Sequence, residues 1–169
     1  MLIGIDPGFV RAGFAIVNEQ TPNSEVIELG VLQQKSSVEI TTRVGKFYDF
    51  FLEKIIEHKI KYIALEVPFL GKNPQNFLKL GYLRGVVKLL SYQHCCTLLE
   101  FSPREIKSAV TGYGHADKEQ VANSLKFYFP FLKEVDSKEL CSDITDALAI
   151  AFFGSMKVGA AVPNNKISL

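Results

Sequence analysis

MLIGIDPGFVRAG, residues 1–13, decides how the chain is built. Leu2, Ile3 and Ile5 form a short apolar run that Pro7-Gly8 halts at once. The run reads as a buried strand delivering one carboxylate, Asp6, to its C-terminal end. In open α/β sheets, ligands and chemistry collect at that end. A carboxylate buried there needs a partner, which is a cation, a metal ion or water. On these residues alone the competing reading is a turn-forming aspartate before Pro-Gly.

Lys61–Glu66, KYIALE, repeats the design: an apolar run, an acid at the tip, then Pro68 two residues on. Turn chemistry alone accounts poorly for two strand tips that end in Asp6 and Glu66. Between them, Gly13–Asn18 reads as a second strand, Glu19–Ser24 as a turn and Glu25–Leu32 as a third strand with one wet face. These tight connections predict an antiparallel meander. Ser36–His58 then reads as a helix opened by a Ser36/Glu39 capping pair, with Ile40, Val44, Phe47, Tyr48, Phe51, Leu52 and Ile55 in one apolar stripe.

Asn73–His94 reads as a second long helix, capped by Asn73 with Pro74 in its first turn. Its apolar residues cover more than one face, and Gly81 and Gly85 lie four apart where another element can come close. A helix of this kind is central in a core or shared with a second chain, and a homodimer is expected. Thr97–Phe101 reads as a fifth strand. Ser102 and Glu105 box the start of a short helix from Pro103 to about Val110. Gly112-Tyr113-Gly114 breaks it, and Asp117 with Gln120 caps a further helix that Pro130 ends. Ser142–Met156 is the last helix, and residues 157–169 read as a mobile tail behind a single domain of residues 1–156.

Composition narrows the classes. With 169 residues, 47% of them hydrophobic and 22% charged, the chain suits one globular domain with a substantial core. No apolar run approaches the ~18 residues of a membrane span, and no basic leader with a cleavage site opens the chain. A cytoplasmic protein is expected. Cys95, Cys96 and Cys141 lack metal or disulfide spacing, and His58, His94 and His115 lack zinc spacing. The net charge of +1 requires any nucleic-acid surface to be local.

In the last helix Asp143 and Asp146 lie three apart, on one face of the first turn. The free N–H groups there explain Asp143; they explain Asp146 less well, because it borders an Ala-rich face. Alternating strands and helices allow Asp6, Glu66, Asp143 and Asp146 to converge at one edge of a sheet. Acids so close cannot all stay ionised without cations, and hard oxygen ligands suit Mg2+ or Mn2+. Paired ions about 4 Å apart are a device for cleaving phosphodiesters.

GIDPG at residues 4–8, ALEVPF at 64–69 followed by KN at 72–73, KLGYLRG at 79–85, PREIKSAVTGYGHADKEQV at 103–121 and SDITDALAIA at 142–151 together resemble the RuvC-type Holliday junction resolvases. The resemblance runs in order from Met1 to about Phe153. It implies an α/β, ribonuclease H-like fold: a five-stranded mixed sheet flanked by helices. It also implies a homodimeric endonuclease that nicks two opposing strands of a four-way DNA junction in recombination and repair. Asp6, Glu66, Asp143 and Asp146 would be its catalytic, metal-binding acids, with two Mg2+ ions per subunit and Mn2+ as a substitute. Lys107 and Lys118 match basic residues beside the scissile phosphate, and Phe69 matches an aromatic that wedges against bases. The GYLRG helix matches the dimer-forming helix. The branch-migration helicase complex is the further partner the resemblance implies. Lys72, Lys79, Arg84 and Lys88 are candidate phosphate contacts. Pro68 stands where a flexible or polar residue is expected.

Two rival functions share these features. An RNA–DNA hybrid nuclease would use the same fold and metals. A non-cutting junction-binding protein would leave the four acids without a purpose. A phosphotransferase of the actin type needs two domains, for which the chain is too short.

Overall fold

The computed structural model describes residues 1–18, 25–67, 74–135 and 141–161. A five-stranded sheet runs through the centre in the order β3-β2-β1-β4-β5. The strands are β1 (Leu2–Asp6), β2 (Arg11–Val17), β3 (Val26–Gln33), β4 (Tyr62–Glu66) and β5 (Thr97–Phe101). β1–β2 and β2–β3 pair antiparallel, as the expected meander requires, and β4 joins β1 and β5 in parallel. The helices are α1 (Ile40–Glu57), α2 (Pro74–Gln93), α3 (Pro103–Thr111), α4 (Lys118–Tyr128) and α5 (Ser142–Ala161).

Strand alternation sorts the side chains into two cores. Ile3, Ile5, Phe14, Ile16, Ile63 and Leu65 face one layer, with Phe47, Phe51 and Ile55 of α1 and Leu83, Val87 and Leu90 of α2. Leu2, Ala15, Val17, Ala64 and Phe101 face the other, with α3, α4 and α5. Because the period of a strand is two, Asp6 and Glu66 belong to the α5 face. α5 comes down on the sheet backbone itself: a Cβ on Gly4 would lie 2.5 Å from the Ala147 carbonyl oxygen and the Ala151 nitrogen.

Three boundaries differ most from the sequence expectation: β2 begins at Arg11, two residues before Gly13, and the start of α1 and the end of α5 also move. α1 starts at Ile40, and Glu39 is its cap, accepting from the Thr42 N–H at 3.1 Å. Ser36 is excluded because the Val38 N–H bonds to the Lys35 carbonyl and closes Ser36-Ser37 into a turn. Pro130 ends α4 as expected, opening a 3-10 turn, Pro130–Lys133. α5 continues past Met156 to Ala161, because Val158 still packs in the core. The Ser102/Glu105 and Asp117/Gln120 capping boxes are both formed. The expected turn at 19–24 and the expected cap Asn73 lie outside the described residues.

α2 carries an apolar surface that the described residues leave uncovered. Leu78, Tyr82 and Tyr92 are 64%, 57% and 84% exposed. An apolar groove beside them is lined by Ile40, Val44, Tyr82, Gly85, Val86 and Leu89. A Cβ placed on Gly81 or Gly85 would meet nothing within 4 Å among the described residues. No helix among the described residues is long and apolar enough to cross a membrane.

Candidate active site

The C-terminal ends of β1 and β4 lie side by side, since Ile5 pairs with Leu65, so Asp6 and Glu66 emerge as neighbours. Asp6 also pairs with Gly13 of β2. Gly13 lets the backbone of Asp143 rest on the sheet, where any Cβ would overlap the Asp143 carbonyl. This close approach brings the first turn of α5, with Asp143 and Asp146, to Asp6.

A cavity of about 360 Å³ opens there, lined by Asp6, Glu66, Asp146, Lys107 and Lys118, with Pro103, Ile106, Val121 and Ala149 as its apolar walls. Lys107 comes from α3 and Lys118 from the first position of α4. Gly112, with φ of 78°, caps α3 and turns the chain back, and Thr111 Oγ1 braces that turn by donating to the Lys107 carbonyl at 2.8 Å. The Gly112–Gly114 break thus sets both lysines on one cavity.

The site is short of positive charge. The Asp6 carboxyl is pushed up to about 7, chiefly by burial and then by Asp146, Glu66 and Asp143, against a smaller opposing pull from Lys118. Glu66 is also raised, by burial first and Asp146 second, with Lys107 and Lys118 opposing. Lys118 donates to Asp146 Oδ2 at 2.6 Å, and this hydrogen bond holds the ammonium above its ordinary range. Asp143 is treated differently. It is absent from the cavity lining, and its Oδ2 accepts from Arg11 Nε at 2.6 Å. Arg11 is the residue that sequence reading missed. Its signal was parity: two residues from Gly13 on β2, it falls on the same face as Asp6.

An all-oxygen donor set, in which burial and the neighbouring acids disfavour the ionised forms of Asp6 and Glu66, fits a hard divalent cation. Among the described residues, a different trio brings its ligand atoms within 4.8 Å: Glu28, Glu57 and His58. That trio is at the other end of the sheet, since Glu28 pairs with Ile16 and Ile16 with Ile3. Lys54 already supplies its cation, with Nζ 2.7 Å from Glu28 Oε1.

The remaining candidates divide. Arg84 and Lys88 both reach Glu100 on β5, Lys88 at 3.4 Å, so they tie α2 to the sheet. Lys79 is exposed on α2. Phe69 and Lys72, with Pro68, lie outside the described residues.

Antiparallel β1-β2-β3 flanked by parallel β4-β5, with acids at one sheet end and α5 laid across it, defines a ribonuclease H-like nuclease architecture. The comparisons narrow the class. The family model for crossover junction endodeoxyribonuclease RuvC matches residues 2–153, and the chain belongs to that family. It is 38% identical to the crossover junction endodeoxyribonuclease RuvC of Chlorobium phaeobacteroides, over 94% of this chain and 83% of that one. It is 33% identical to that of Chloroherpeton thalassium, over 92% and 81%. It also superimposes on Thermus thermophilus RuvC in complex with Holliday junction substrate, with a TM-score of 0.79, 25% identity, and coverage of 93% and 96%.

Proposed function

We propose that this protein resolves four-way DNA junctions by hydrolysing one phosphodiester in each of two opposing strands. The observation that carries the proposal is the shared cavity of Asp6, Glu66 and Asp146 with Lys107 and Lys118, with Asp143 close enough for its charge to act on Asp6. Asp6, Glu66, Asp143 and Asp146 would hold Mg2+, with Mn2+ as a substitute and two ions as the full complement. Bound there, the cations supply Lewis-acid charge at the phosphate and a water acidic enough to attack it.

The protein's part is positioning. β1, β4 and α5 fix the acids from three rigid elements. Lys107 and Lys118 present ammonium groups to the non-bridging oxygens and to the departing 3′ oxygen, and Lys118 has a proton to give. Lys79 and Lys88 are further candidates for phosphate contacts from α2, as are Phe69 and Lys72 for the opened crossover. Arg84 keeps its guanidinium on Glu100 and serves the fold. The uncovered apolar face of α2, with Gly81 and Gly85, supports a homodimer, which would carry two cavities to the two strands. Residues 1–156 would be the nuclease domain, with α5 extending it to Ala161.

A nicking assay tests the reading. In Mg2+, a synthetic four-way junction, a linear duplex and an RNA–DNA hybrid are compared, with Asp6→Asn as control. Symmetric nicks in the junction alone, lost in the variant while junction binding persists, are expected. Cleavage of the hybrid in preference to the junction would replace the substrate and keep the site.

A further inference from the structure

We infer that Arg11 is a counter-ion for Asp143 that must be exchanged for metal as the catalytic site loads, so that Arg11 sets the metal affinity of the site. The inference rests on the reading of Asp143 as a metal ligand. Asp143 is the one of the four acids that does not line the cavity, and its Oδ2 is held by Arg11 Nε at 2.6 Å. The ligand oxygens of the four acids do not gather within 4.8 Å of one another. The Asp143 carboxylate is occupied elsewhere.

The pairing is built to persist without metal and to release with it. A guanidinium stays charged at every accessible pH, so it covers Asp143 whenever the site is empty. Arg11 is on the first residue of β2 with its side chain 40% exposed, so it can leave without opening the core. It also reaches the Cys141 side chain, which spans the residues flanking Ser142 at the start of α5. The Asp143 backbone is pinned on Gly13, so only its side chain has to turn. Arg11 is a positioning residue in this scheme, acting through Asp143.

The test is calorimetric titration of Mn2+ into the DNA-free full chain, read as affinity and not as cleavage. Arg11→Gln is expected to bind Mn2+ roughly two- to tenfold tighter, the competition removed being a partly exposed, charge-assisted pair. In an Asp143→Asn background the same change is expected to have no effect. Unchanged or weaker binding by Arg11→Gln overturns the inference, weaker binding marking Arg11 as an orienting partner. A gain that survives in the Asp143→Asn background also overturns it, because the effect would then be loss of a nearby charge. If Asp143→Asn alone leaves Mn2+ affinity intact, the metal-ligand reading of Asp143 fails instead. Arg11→Lys, a weaker match to a carboxylate, is expected to fall between wild type and Arg11→Gln and decides the matter should the glutamine variant not fold.

Discussion

Gly13 lies directly beneath the backbone carbonyl of Asp143, leaving no room for a Cβ between sheet and helix. Gly13 also faces Asp6 across the β1–β2 ladder. One absent side chain therefore sets the distance between an acid of β1 and the acids of α5. Gly13→Ala must push α5 outward, against a contact that is backbone and cannot swing aside. Overpacking of this kind costs about 1–3 kcal/mol. The loss in metal-dependent nicking is expected to exceed tenfold, because reacting groups misplaced by ~1 Å lose about a hundredfold. Thermal melting and single-turnover nicking of Gly13→Ala measure the two effects separately.

The raised Asp6 carboxyl makes the metal-free protein sensitive to pH. Its pKa moves from 3.8 to about 7 on folding. Between those values the folded chain keeps a proton that the unfolded chain has lost, so stability falls as pH rises. It is greatest below about 4 and levels off above about 7, with a total on the order of 2–4 kcal/mol. Asp6→Asn removes this part of the slope and leaves the smaller contribution of Glu66, which is raised in the same direction. Denaturant midpoints in EDTA at pH 5 and pH 8 should show Asp6→Asn gaining on wild type at the higher pH. Equal differences at both values would mean that Asp6 does not titrate in this window.

The sheet was legible because its period is two and its interruptions are chemical. Leu2–Asp6 and Tyr62–Glu66 each show an apolar run with an acid on the tip, and both tips fall on the α5 face. Ser102 and Asp117 announced α3 and α4 through pairs three residues apart, and both boxes formed. Ser36 offered the same spacing and failed, because a backbone turn competes for those residues and spacing cannot weigh the two. Arg11 was not legible as a site residue. Its partner Asp143 is 132 positions away, and only the contact of α5 with Gly13 brings them together. The end of α5 lies past the expected one for a similar reason: the sequence from Lys157 on has little periodicity, while Val158 is buried against the core by tertiary contact.

Arg84 and Lys79 are neighbours on one helix with different expected fates. The Arg84 side chain is 16% exposed and ion-paired with Glu100. Arg84→Gln should cost about 1 kcal/mol of stability and leave the salt dependence of junction binding unchanged. Lys79 stands in solvent. If it touches a phosphate, Lys79→Gln should reduce the salt slope by about one without moving the melting temperature. A steeper loss of affinity for Arg84→Gln than for Lys79→Gln would reverse the assignment.

Gly81 and Gly85 separate the needs of the monomer from those of the proposed dimer. A Cβ at either position would meet nothing within 4 Å among the described residues, so a side chain there starts into open space. A helix interior disfavours glycine by about 1 kcal/mol, so Gly85→Leu should stabilise the isolated protomer slightly. The neighbouring surface is apolar, with Tyr82 and Leu89 57% and 47% exposed. A second protomer packing on α2 would use the glycines for close backbone approach, and a leucine would hold it off. Sedimentation should therefore show Gly85→Leu shifted toward monomer, with its melting temperature kept or raised. The nicks at the two opposing strands should then lose their coordination while single nicks persist. A dimer of undiminished affinity in Gly85→Leu would move the interface off this face of α2.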